Sequence, residues 1–510
     1  MSVSTSSPFD QEEARIAPWL ILLVIGTLLY RIGFVWAHDY SLFVDEAQYW
    51  LWSRAPAFGY YSKPPMVAWM VRISTALLGD GELGIKLPAL LAYPLAALAL
   101  YRLGTTVKNA RVGLIAAALF LSMPGQALAG WVLSPDALLL VAWSWSLWLL
   151  WMARTQQQLK WWLGLGVVVG LGALSKYTML AFVPLAAWVL WRGRAAVPVR
   201  GKGPWLALAI VLLLIAPNIV WNIQNHFETV RHTVDLTNAD QAGLHPRHLL
   251  EFVGAQWGIF GMLAFPLLVM LMVCSRRDRS DITRFLAAFT IPYLLAIIAL
   301  SLVTLANANW AVTVYAAGSV WLAIWLDGRR PAWAWSVILL NFVLQLGLLH
   351  YRDIGTRLGH PPSHSGRDLY ARVLGWRELG RALQPITEAQ GGLPILSSDR
   401  MLLAELDYYL QPRPYPVAAL DVDGKINNQY EADTARRGLP QEALWVQFVG
   451  GQDGSHHGEN DGDAPNPPAL TRAYDVIEDL GVVRVQRMDA PPRSVQIVRV
   501  RRHVTTEPLP

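Results

Sequence analysis

Residues 17–37, APWLILLVIGTLLYRIGFVWA, decide the fold class. A helix needs about 20 mostly apolar residues to cross the ~30 Å hydrocarbon core of a bilayer, and this stretch supplies them. Ten more apolar runs follow, at roughly 83–103, 110–130, 135–153, 161–175, 178–191, 204–222, 250–273, 283–304, 310–326 and 331–350. The expected architecture is a mostly α, polytopic membrane protein of about 11 transmembrane helices. Residues 1–16 lack a basic region and a small-residue cleavage site, so the first run is expected to stay as a helix.

Composition supports this. The chain of 510 residues is 54% hydrophobic and 15% charged, with 24 Trp, against about 25% charged for ordinary soluble domains. A soluble globule has too little interior for that much apolar surface. The single cysteine, Cys274, excludes an intramolecular disulfide. A net charge of +5 does not point to nucleic acid, because the basic residues sit in short loops between the apolar runs.

Those loops give an orientation. Arg102, Lys108 and Arg111; Arg154 and Lys160; Arg192, Arg194, Arg200 and Lys202; Arg276, Arg277, Arg279 and Arg284; and Arg329 and Arg330 mark one side. The alternate loops are poorer in Lys and Arg. Positive charge stays cytoplasmic, so the N-terminus is expected inside and the tail outside. Residues 1–350 form the expected transmembrane domain. Two stretches of its first outer loop, Asp45–Arg54 and Pro65–Leu78, read as interfacial helices.

Residues 351–510 carry 18 Lys and Arg against 21 Asp and Glu and read as a small periplasmic α/β domain. Strand-like runs lie at Pro394–Ser397, Leu444–Val449, Val482–Gln486 and Val495–Val500, and helical patterns at 368–390 and 399–410. Gly450–Pro468 reads as a mobile loop. Its His456 and His457, with Asp453, Glu459, Asp461 and Asp463, have nothing to fix a coordination geometry.

The chemistry-bearing residues cluster on the outer side. Val44-Asp45-Glu46-Ala47-Gln48-Tyr49-Trp50 is followed by Tyr60-Tyr61-Ser62-Lys63-Pro64-Pro65. Acids beside a membrane helix are costly unless used or solvated, and a carboxylate there suits general-base work. Lys63 is a compact cation suited to a phosphate. Asp136, in Ser134-Pro135-Asp136, reads either as a helix cap or as a second acid. Lys176 either snorkels to headgroups or reaches a lipid phosphate. Arg231 and Arg247 suit phosphate oxygens, and His232 and Asn309 are further polar candidates. Helix capping alone also accounts for Asn309.

At these residues the chain resembles the bacterial polyprenyl-phosphate-sugar glycosyltransferases. These integral-membrane GT-C enzymes include the aminoarabinose and galacturonic acid transferases of lipid A and the protein O-mannosyltransferases. Asp45-Glu46-Ala47-Gln48-Tyr49 with Tyr60-Tyr61-Ser62-Lys63-Pro64-Pro65 carries the resemblance. Ser134-Pro135-Asp136, Asn309-Trp310, Gly375-Trp376 and Asn428-Gln429-Tyr430 add to it. It covers most of residues 30–320 and, more weakly, the tail.

The resemblance implies transfer of a sugar from a polyprenyl phosphate to a lipid A, other glycolipid or protein acceptor, with inversion. Asp45 matches the catalytic aspartate and Asp136 the second acid, with Glu46 beside the first. Lys63 matches the donor-phosphate lysine, with Arg231, Arg247 and Lys176 as further phosphate candidates. Tyr60, Tyr61, His232 and Asn309 are the expected substrate contacts. No cofactor is expected. Some relatives carry an acid where Ser62 stands, which weakens any case for a divalent metal. The competing class is a transporter or lipid flippase. Against it stand the absence of an internal repeat and the gathering of the acids at one interface.

Overall fold

Chain segments that lie away from water must satisfy their own N–H and C=O groups, and helices do so internally. The structure, a computed structural model, describes residues 8–192, 201–235, 243–278, 280–360, 368–449, 468–488 and 490–503. The helices begin with α1 (Pro8–Ala37), α2 (Val44–Arg54), α3 (Met66–Leu78), α4 (Glu82–Val107), α5 (Ala110–Leu121) and α6 (Gln126–Ala129). They continue with α7 (Pro135–Gln156), α8 (Leu159–Ser175), α9 (Phe182–Arg192), α10 (Lys202–Gln224), α11 (Glu228–Asp235) and α12 (Pro246–Phe260). Then come α13 (Ala264–Cys274), α14 (Asp281–Val303), α15 (Val314–Asp327), α16 (Pro331–Leu349) and α17 (Tyr351–Arg357). Short 3-10 turns at Tyr177–Ala181 and Ala308–Ala311 precede α9 and α15.

Among the described residues, six helices are long and apolar enough to cross a membrane: α1, α4, α7, α10, α14 and α16. The run at 250–273 forms two helices bent by 111°, which would make a seventh span if counted as one. The other four runs give shorter apolar helices of 10–17 residues. The eleven apolar runs are therefore not eleven full-length helices. The bend sits at Gly261, whose φ of +118° is open to glycine. A Cβ there would lie 1.9 Å from the Asn341 side chain.

By packing, the chain divides into two units. One comprises Met1–Trp36, Ala57–Gly59 and Lys63–Tyr351; the other Ala37–Pro56, Tyr60–Ser62 and Arg352–Pro510. The helical unit has one large core running through α4, α5, α7, α8, α14 and α15. Helices α4 and α5 meet where Gly104 faces Gly113; a Cβ on Gly104 would stand 2.7 Å from the Gly113 Cα. Helix α1 turns Trp19, Ile21, Leu22 and Leu29 outward, each more than half exposed.

The second unit adds α18 (Trp376–Ala389), α19 (Arg400–Tyr409), α20 (Gln429–Arg437) and α21 (Pro468–Ala473) to five strands. These are β1 (Ile395–Ser397), β2 (Val417–Ala419), β3 (Glu442–Phe448), β4 (Tyr474–Arg487) and β5 (Ala490–Arg502). The sheet order is β2-β1-β3-β5-β4. Strand β1 runs parallel to β2 and β3, and β5 runs antiparallel to β3 and β4. All four predicted strands fall within this sheet; β2 was not expected. The predicted mobile loop with His456 and His457 lies outside the described residues.

Helix α2 belongs to this second unit. Val44, Glu46, Ala47, Gln48, Tyr49, Trp50, Trp52 and Ser53 are buried, and Trp50 meets Tyr408 of α19 edge-on at 5.0 Å. The aromatic residues that suggested an interfacial helix therefore serve an internal packing surface.

Candidate active site

Each unit holds a carboxylate paired with a cation. In the helical unit, α7 opens with Pro135 at its first position, where the missing N–H costs nothing. Asp136 follows. Its Oδ1 accepts a hydrogen bond from Lys176 Nζ at 2.7 Å, and its Oδ2 one from Asn309 Nδ2 at 2.8 Å. The Asp136 side chain is only 13% exposed. The capping alternative is not the one used: both oxygens serve other elements. Lys176 likewise makes an ion pair instead of only reaching for headgroups.

The supports of this cluster are also polar. Lys176 lies in the turn after α8, where its N–H donates to Gly172 O and its own carbonyl accepts from Met179 N–H. The 3-10 turn bearing Asn309 is tied from two sides. Gln256 Nε2 donates to Ala308 O at 3.3 Å, and Tyr293 OH to Trp310 O at 3.2 Å. Tyr315 OH in turn donates to Gln256 Oε1 at 2.6 Å.

Tyr177, next to Lys176, anchors a second network that sequence reading missed. Its hydroxyl donates to Asn218 Oδ1 at 2.8 Å and accepts from Asn222 Nδ2 at 3.0 Å. Asn218 Nδ2 donates to Phe58 O at 2.6 Å, and Trp69 Nε1 to Ala57 O at 3.0 Å. These bonds hold residues 57–59 against α10 and α3. Gly59 sits flat on Trp221, with only 2.3 Å between the ring and where a Cβ would lie. Lys63 is half-buried and is followed by two buried prolines that lead into α3.

Arg231 is exposed on α11. Arg247 is exposed on α12 and pairs with Glu251 at 2.7 Å. No hydrogen bond or ion pair among the described residues joins either to Asp136, Lys176 or Asn309. His232 is half-buried on α11.

In the second unit, Asp45 lies in the first turn of α2. Its Oδ1 accepts from Arg400 at 2.7 Å, and Arg400 also donates to Gln48 Oε1. Glu46 is fully buried, and its Oε2 accepts the Phe43 N–H at 2.9 Å. It thus caps the helix that carries Asp45. Tyr60 stacks on Trp52 with ring centres 4.6 Å apart and donates to Trp52 O. Tyr61 donates to Ile426 O, and its N–H donates to Gln429 Oε1 at 3.0 Å. Both tyrosines, expected as substrate contacts, give their hydroxyls to backbone carbonyls.

Electrostatics single out two residues of α19. Burial lowers the proton affinity of Arg400, but the charge and hydrogen bond of Asp45, together with Tyr430 and Tyr49, outweigh it and leave the Arg400 pKa raised. Asp407, on α19, is 1% exposed, and burial pushes its carboxyl well above the usual carboxylate range. The only sequence-level signal for Arg400 was its place at the start of a predicted helix.

Residues 62–221 match the family model of dolichyl-phosphate-mannose-protein mannosyltransferases. The lipid A galacturonosyltransferase RgtD of Rhizobium johnstonii is 32% identical over 422 residues, covering 81% of this chain and 87% of that protein. An undecaprenyl phosphate-alpha-4-amino-4-deoxy-L-arabinose arabinosyl transferase of Pseudomonas fluorescens is 29% identical over 228 residues, 40% of this chain and 38% of its own length. In fold, the chain is similar to ArnT from Cupriavidus metallidurans, solved bound to undecaprenyl phosphate. The TM-score is 0.62 at 16% identity, over 94% of this chain and 98% of that one.

The class is thus a polytopic membrane enzyme with a small α/β unit. The chain belongs to the GT-C family of polyprenyl-phosphate-sugar glycosyltransferases. That sets aside the transporter alternative.

Proposed function

We propose that the chain transfers a sugar from a polyprenyl phosphate to an envelope glycolipid, with lipid A as the leading acceptor. The observation that carries this reading is the 32% identity, across 87% of its length, with a lipid A galacturonosyltransferase. The reaction takes place at the periplasmic face of a bacterial inner membrane. The basic loops support a cytoplasmic N-terminus and a periplasmic tail.

An acceptor oxygen attacks the anomeric carbon, and the bond from that carbon to the phosphate oxygen breaks. The polyprenyl phosphate leaves with the bonding electrons. Asp45 takes the acceptor proton. Direct displacement inverts the anomeric centre and needs no separate nucleophile. Lys63 holds the donor phosphate, with Arg231 or Arg247 as its second contact. Asp136 is paired with Lys176 and held by Asn309, so that it faces positive charge developing on the sugar ring. The 2.7 Å ion pair supports this role for Lys176 over a phosphate contact.

Mass spectrometry of envelope glycolipids tests the reading. A strain lacking the gene is compared with its parent and with strains complemented by wild type or Asp45→Asn. The expected result is a missing sugar mass on one glycolipid, restored by wild type alone. Unchanged glycolipids in the deletion strain would refute the proposed acceptor class.

A further inference from the structure

The pair between Asp45 and Arg400 joins residues far apart in sequence, one from the loop after the first membrane helix and one from the C-terminal part. We propose that Arg400 is a positioning residue for sugar transfer: with Gln48 it fixes the carboxylate of Asp45 in the place and charge state from which that group takes the acceptor proton. The C-terminal part then completes the base. The inference rests on the reading of Asp45 as base given above.

Three observations carry it. First, Arg400 occupies the first position of α19, directly after the capping residue Asp399, which accepts from the N–H groups of Met401 and Leu402. A helix N-terminus disfavours a cation, so this arginine is not there for the benefit of its own helix. Second, both side chains are about one-third exposed, 36% and 35%. Such a pair adds little to folding, and about a third of the Asp45 side chain remains accessible. Third, Arg400 is held twice, by Asp45 Oδ1 and by Gln48 Oε1. Asp45 and Gln48 lie three residues apart on one face of α2, so the guanidinium fixes the helix as well as the carboxylate.

The surrounding titratable groups fit this arrangement. Glu46 and Tyr49 belong to α2, Glu405 and Asp407 to α19, and Tyr430 to α20. Burial raises both Asp407 and Tyr430 well above their ordinary values and so disfavours their ionised forms beside Arg400.

The test is the pH profile of kcat/KM for sugar transfer by the full-length protein in lipid nanodiscs, for wild type, R400K, R400Q and D45N. A cation beside a carboxylate lowers its pKa. Removing it in R400Q is expected to move the acidic limb up by about one pH unit. The rate then falls about tenfold on the acid side and recovers above the limb. R400K keeps the charge, so its limb stays near that of wild type. An R400Q limb that stays in place, whether its rate is normal or uniformly low, overturns the proposal. If R400Q does not fold, R400K decides: a limb at the wild-type position supports the role of the charge, and a displaced limb overturns it. D45N separates the two readings, because full activity in that variant refutes the base assignment itself.

Discussion

Both units bury apolar cores, but they differ in what they expose and in how their buried polar groups are matched. The helical unit exposes large apolar side chains on its outside, such as Trp19, Leu22 and Leu213, and keeps Lys86, Asn218, Gln256 and Asn341 within. Lys86 lies over the Trp131 ring at 4.8 Å, and Arg154 donates to both oxygens of Asp281 at 2.7 and 2.8 Å. The second unit is built in the ordinary way, with Leu396, Trp445 and Val500 in its core. The comparison teaches where each carboxylate gets its partner. Asp136 is matched by a neighbouring turn of the same helical body. Asp45 is matched by a helix that the chain reaches only after 355 residues.

Four variants test this difference between the two carboxylates and their surroundings. The largest effect is expected from Asp45→Asn, which removes a general base and should lower kcat about 100- to 10,000-fold while the protein still folds. Single-turnover transfer with pre-bound donor measures it. Next is Lys176→Met, which strands a mostly buried Asp136. A loss of about 30- to 1000-fold is expected, corresponding to about 2–4 kcal/mol. The Asp136→Asn/Lys176→Met double variant should lose less than the product of the single losses, because the two residues act as one pair.

Gly59→Ala should drive a methyl group into Trp221 and displace the strand of chain that leads to Lys63. The expected cost is about tenfold in donor KM, and Trp221→Ala in the same protein should restore most of it. Smallest is Asp407→Asn. Burial raises its pKa in the folded state, so the folded chain holds this proton to higher pH than the unfolded chain does. Stability is therefore lost as pH rises above the unfolded carboxylate range. An amide removes that loss and should raise the unfolding temperature of the second unit by a few degrees near pH 7, with no gain near pH 3. Calorimetry at both values checks the sign.

Much of the helical unit was legible because lipid demands long apolar runs, as in α1, α4, α10 and α16. The run at 250–273 was not legible as two helices. Its break depends on Gly261 and on Asn341, eighty residues away, whose Nδ2 donates to Phe260 O at 2.9 Å. Strand β2 escaped notice because three residues, Val417–Ala419, carry too little periodicity. Asp45, Asp136 and Lys176 stood out as charges beside apolar segments. Their partners did not: nothing local in Asn309 or Arg400 tells which carboxylate it will meet. The backbone carbonyls that Tyr60 and Tyr61 donate to were likewise illegible, since an aromatic hydroxyl near a motif reads the same whatever it bonds.

The account stands on the transfer reaction itself. Purified protein in nanodiscs, given polyprenyl-phosphate-linked galacturonic acid or aminoarabinose and lipid A, should release polyprenyl phosphate and form sugar-bearing lipid A in equal amounts. The new linkage should have the anomeric configuration opposite to that of the donor. Retention of configuration, or a product that forms without release of polyprenyl phosphate, would contradict it.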